Sequence, residues 1–152
     1  MKTQQDVYQL ICDHYDTRGI AYQRVDEDFM ILAVNKERAV PVNLITRVDA
    51  DPVSLLVCGR LPFKVPEHQR EMMVMALQAI NQRLSAGRFQ MNPEDGVIDY
   101  RLNMPLVGIE VDDQWLEHIL EYTTYIITGR DEKILALLRE EMTFEEFCRK
   151  VR

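Results

Sequence analysis

A catalytic or metal site needs particular side chains brought close together, and this chain offers few groups suited to it. It has three histidines and three cysteines among 152 residues. A metal centre needs converging His, Cys or carboxylate ligands. The local candidates are His14 with Cys12 and Asp13, and His118 with Glu121. Adjacent helical positions point apart, and neither set recurs, so these residues are read as packing or surface. A nucleophile needs a base held beside it. Cys58 lies in an apolar run, where a thiol is inert packing, and Ser54 and Ser85 sit in no recognisable elbow. The six glycines form no phosphate-cradling loop. The pairs Asp112-Asp113 and Glu145-Glu146 stand where helices should start, so capping and the helix dipole account for them. Arg83, Arg88 and Arg101 cluster near one turn. They read either as a small anion site or, preferably, as surface arginines paired with Glu94 or Asp99. The sequence therefore predicts no catalytic residue, no metal ligand and no cofactor.

Met72, Met73 and Met75, with Ala79 beside them, are a different kind of candidate. Methionine fills irregular core space and also suits adaptable binding surfaces. Three readings stay open: monomer core, dimer seam, or a face for another protein.

Composition narrows the classes. Hydrophobic residues make up 47% of the chain and charged ones 28%, the balance of a folded protein. A net charge of −7 argues against nucleic acid as partner, which calls for a basic footprint, and against anionic membranes. No run reaches the roughly 18 apolar residues of a membrane span. The first ten residues carry no signal-peptide core, and three widely spaced cysteines suggest reduced thiols. The expectation is a cytoplasmic protein.

The elements that would position these groups follow from periodicity. Residues 4–18 read as an amphipathic helix with Val7, Leu10, Ile11 and His14 on one face, stopped by Gly19. Strands are expected at 21–25, 29–34, 39–48 and 53–60, with Pro62 and Pro66 breaking the sheet. A helix over 66–84 carries Met73, Ala76, Leu77, Ile80 and Leu84 as its core stripe. Asn92-Pro93-Glu94-Asp95-Gly96 is a hairpin turn between strands at 89–92 and 97–104. In the second strand Ile98, Tyr100, Leu102 and Met104 alternate with Asp99, Arg101 and Asn103, one apolar face and one wet. Asp112 caps a helix over 113–128, another begins near Asp131, and Thr143 to Glu146 form a capping box for a short last helix. The order α-β-β-β-β-α-β-β-α-α, with strands in hairpins, predicts an α+β fold: a twisted antiparallel sheet with helices packed on it. No internal repeat or linker divides the chain, which is expected to be one domain over 1–152.

This order resembles the YbjN family, which shares its fold with type III secretion chaperones. The likeness rests on Leu77–Asn81, Gly87-Arg88-Phe89, the turn Glu94-Asp95-Gly96, the pair Tyr100-Arg101, and the helix with Trp115, Tyr122 and Tyr125, over about residues 4–130. It implies a homodimer and a sensory-transduction or chaperone-like role. Residues 130–152 would then be extra C-terminal helices. The expected function is a non-enzymatic protein-binding module acting on an unidentified protein partner. A small-ligand sensor or enzyme, with a pocket between sheet and helices, is the alternative. The expected binding or dimer surface joins Met72, Met73, Met75 and Ala79 to Asp99, Arg101 and Asn103 across one groove.

Overall fold

A computed structural model describes residues 1–35 and 40–151. Chain order gives α1 (Gln4–Thr17), β1 (Tyr22–Val25), β2 (Met30–Asn35), β3 (Val42–Asp49), β4 (Ser54–Lys64), α2 (Arg70–Asn81), β5 (Arg88–Met91), β6 (Val97–Pro105), α3 (Asp113–Ile127), α4 (Arg130–Leu138) and α5 (Phe144–Lys150). Six antiparallel strands form one sheet in the order β1-β2-β3-β4-β6-β5. The α+β class expected from the hairpin pattern is the class observed. Ala39, where the third strand was expected to start, lies outside the described residues, and β3 begins at Val42.

The caps fall where side-chain chemistry puts them. Thr3 and Asp6 form a reciprocal capping box at α1, Asp112 accepts from the Trp115 N–H at α3, and at α5 Thr143 accepts from the Glu146 N–H, which is the N-cap half of the capping box expected there. Two expectations are corrected. Pro62 does not end its strand: β4 runs to Lys64, and the ladder shifts register between Arg60 and Lys64 instead. Proline has no N–H to donate, and an irregularity is where a strand tolerates that. The α-helix expected over 66–84 is shorter. Pro66 stays extended (ψ 148°), a 3₁₀ turn covers Glu67–Gln69, and α2 proper ends at Asn81.

That helix end is locked to the hairpin. The Asn81 carboxamide donates to the Phe89 carbonyl (2.9 Å) and accepts from the Phe89 N–H (2.8 Å). It thus stands in for a neighbouring strand at the exposed edge of β5. Tyr100 adds a hydrogen bond to the Ala86 carbonyl (2.9 Å), and a Cβ on Gly87 (φ 70°) would collide with its hydroxyl. At the turn, Gly96 sits at φ 76°, where glycine is favoured, and the Arg70 guanidinium donates to the carbonyls of Val65, Pro93 and Glu94.

The core lies on one side of the sheet. One cluster joins β5 and β6 to α2, α4 and α5 through Phe89, Tyr100, Met73, Ile80, Ile134 and Phe147. The other joins β2, β3 and β4 to α1 and α3 through Ile31, Val48, Leu55, Tyr8 and Leu116. Register places them on the same face, since Val57 pairs with Leu102 and Gly59 with Tyr100. Gly59 admits close approach there, because a Cβ would run into Ile127.

Candidate functional site: the uncovered face of the sheet

With the core residues on one face, the alternate residues define the other. Three rows of directly paired residues cross it. The middle row runs Gln23, Leu32, Ile45, Cys58, Arg101, Arg88. One flanking row runs Val25, Met30, Arg47, Leu56, Asn103, and the other Val34, Asn43, Arg60, Asp99, Gln90. The centre is apolar. Leu56 and Cys58 are 4% exposed and form its floor, with Leu32 and Ile45 half-buried beside them. Burial pushes the Cys58 thiol up to about 12, helped by the Asp99 charge, so it is a poor nucleophile at neutral pH.

Charges ring this floor unevenly. Arg47 pairs with Asp49 on its own strand (2.9 Å). Arg60 grips Asp99 with two hydrogen bonds (2.8 and 3.1 Å), which raises the Arg60 guanidinium above its usual range. Asp99 is therefore buried under Arg60 and is not the wet, groove-framing residue the alternation suggested. The expected pairing of Asp99 with the arginine cluster fails for the same reason: register sets Arg60 directly opposite it. Arg88 and Arg101, directly opposite each other, form no ion pair among the described residues. Among the described residues, Glu94 meets Arg70 through its backbone carbonyl.

Two hollows indent the face at this end. One, about 400 Å³, is lined by Arg60, Gln90, Asp95, Asp99 and Arg101 among others. The second, about 490 Å³, is lined by Leu56, Arg88, Gln90, Arg101 and Asn103 among others, and no acid lines it.

The methionines lie elsewhere. Met73 is fully buried, Met72 and Ala79 are half-buried against the core, and Met75 is 54% exposed beside Val74 at 55%. Helix α2 packs on the covered side, whereas Asp99, Arg101 and Asn103 line the uncovered side. A single groove combining the two sets does not form, because alternation along β6 turns its polar residues away from α2. Periodicity did not point to Arg60, Leu56 or Cys58 as neighbours of Arg101. Arg60 pairs with a residue 39 positions away, and only the β4–β6 register reveals that.

A second polar cluster ties α1 to α3. His14, 3% exposed, meets Asp113 (2.9 Å) through Nδ1 and Glu117 (3.3 Å) through Nε2. Arg18 bridges the same two carboxylates (2.9 and 2.8 Å). Arg18 and then His14 hold the Asp113 carboxyl down to about 2. Asp113 thus does more than complement the helix dipole, and His14 belongs to this clamp and not to Cys12 or Asp13.

The core helices thus lie on one side of the antiparallel sheet, and an apolar, arginine-edged face lies on the other. The chain belongs to the YbjN family, whose model, described as "Putative bacterial sensory transduction regulator", matches residues 8–127. Among solved structures, the chain is similar to YbjN of E. coli, titled "a putative transcription regulator", at 11% identity and TM-score 0.65, over 88% of this chain and 92% of that one. It is also similar to a chain of the ExsC–ExsE complex, at 16% identity and TM-score 0.60, over 91% and 97% of the two chains. At these identities the likeness concerns the fold. No curated protein matches the chain.

Proposed function

We infer that this chain is a non-enzymatic protein-binding module, chaperone-like or regulatory, that works as a cytoplasmic homodimer. The observation that carries the reading is the uncovered sheet face, whose floor of Leu32, Ile45, Leu56 and Cys58 is apolar although, among the described residues, no helix packs on it. An apolar centre with a charged rim is the anatomy of a protein interface. The family description and the likeness to one member of a two-protein complex support the same reading. Both hollows open on this face, and the buried, raised Cys58 thiol in its floor suits packing better than covalent chemistry.

The test is capture from the native cell with the wild type and with Ile45→Asp, which places a charge in the half-buried centre of the face. A specific protein retained by the wild type and lost by Ile45→Asp, at unchanged melting temperature, is the expected result. Identical capture by both proteins would sink the reading.

A further inference from the structure

Cross-strand neighbours of like charge repel, because register holds their Cβ atoms only about 5 Å apart. Arg88 and Arg101 are such a pair, at the end of the middle row of the uncovered face. The chain as a whole is acidic, with 25 Asp and Glu against 18 Lys and Arg, and so has carboxylates to spare. None pairs with either arginine among the described residues, although Arg60 and Arg47 on the same face each hold an aspartate. The hollow between them offers the guanidinium groups of Arg88 and Arg101 and the carboxamides of Gln90 and Asn103, over the apolar Leu56. Guanidinium and carboxamide N–H groups are donors that suit a carboxylate, and guanidinium engages it in a fork.

We propose that Arg88 and Arg101 form a carboxylate-binding subsite, and that the face takes an acidic segment of a partner protein, with apolar residues interleaved among its Asp or Glu side chains. The proposal rests on the protein-binding reading above and names the chemistry of the partner. Charge complementarity sets the acidic side chains. The adjoining half-buried Ile45 and Leu32 set the apolar ones, and extend the surface well beyond what a small anion would fill. A nucleic acid would meet the repulsion of the net −7 charge without using that apolar row.

The probe is a short synthetic peptide alternating Glu with Val, labelled for fluorescence anisotropy, with Lys-Val and Gln-Val peptides as controls. The acidic peptide binds wild type, the controls bind at least about tenfold more weakly, and added NaCl weakens the acidic one. The double variant Arg88→Gln/Arg101→Gln loses roughly tenfold or more in affinity, the size expected for lost charged hydrogen bonds, at unchanged melting temperature. Arg83→Gln, outside the face, changes nothing. Equal binding of the acidic peptide by wild type and double variant overturns the proposal, as does no binding at all. Displacement of the peptide by inorganic phosphate at equal concentration overturns the peptide as occupant. A dimer that splits in the double variant makes a second copy the occupant and overturns it too. If the peptide fails while Ile45→Asp still loses its captured protein, this proposal falls and the protein-binding reading stands. If both fail, both fall.

Discussion

Two residues carry consequences that their sequence neighbours do not announce. Asp113 looks like the second acid of a helix start, but it grips His14 of α1 and Arg18 at that helix's C-cap. Its folded pKa of about 2 lies below the ordinary 3.8. A depressed carboxyl stabilises the fold fully above its unfolded pKa and loses that contribution as pH falls through the folded value. Asp113→Asn should therefore lower the urea midpoint at neutral pH, and the gap to wild type should close between pH 3.8 and about 2. A gap that stays constant through that window would refute the assignment. Asn81 is the other case. A polar residue near the end of an apolar helix reads as a stop signal, and no local pattern announces that both backbone groups of Phe89 depend on it. Asn81→Ala strands that donor and acceptor at the β5 edge, at a cost of about 2 kcal/mol in urea unfolding. A loss within error of zero would mean water replaces both bonds.

At the scale of elements, local chemistry was legible wherever one short segment decides the outcome. Thr3, Asp112 and Thr143 cap their helices, and Gly96 takes the positive φ of its turn, all within a few residues of the signal. Strand ends were less legible, because Pro62 is accommodated by a register shift against a distant strand, β6. The C-terminal helices show the same limit. The family model stops at residue 127, so the later residues look like an appendage. Yet Phe147 and Ile134 are fully buried in the cluster around Met73 and Tyr100, and Gln69 donates to the Leu138 carbonyl (3.0 Å). Phe147→Ala should cost about 3–5 kcal/mol, as for other buried aromatics. Phe144→Ala, at a half-buried position, should cost clearly less. Near-equal small losses on urea unfolding would show that α5 is dispensable to the core.

For the whole molecule, alternation in β6 correctly separated apolar from polar residues, but it could not say which elements cover each side. That depends on β4 lying between β3 and β6, a pairing set by hydrophobic burial over the whole chain. The misjudged groove of methionines and strand residues follows from this. It also divides the molecule into two surfaces. On the helix side, Val74 and Met75 of α2 are each more than half exposed, and adjacent exposed apolar side chains of this size favour association. A symmetric dimer through α2 would cover them and leave the uncovered sheet face free for another protein. Light scattering after size exclusion should then give the wild type about twice the 17.8 kDa chain mass at low micromolar concentration. Met75→Asp should give the monomer mass with the fold intact by circular dichroism, since the side chain packs against little in its own chain. Met73→Asp should instead unfold the protein, because it buries a charge with no partner. A wild-type monomer that stays monomeric on concentrating would end the dimer proposal. A dimer untouched by Met75→Asp would move the seam away from α2, and the sheet face would be the next surface to test.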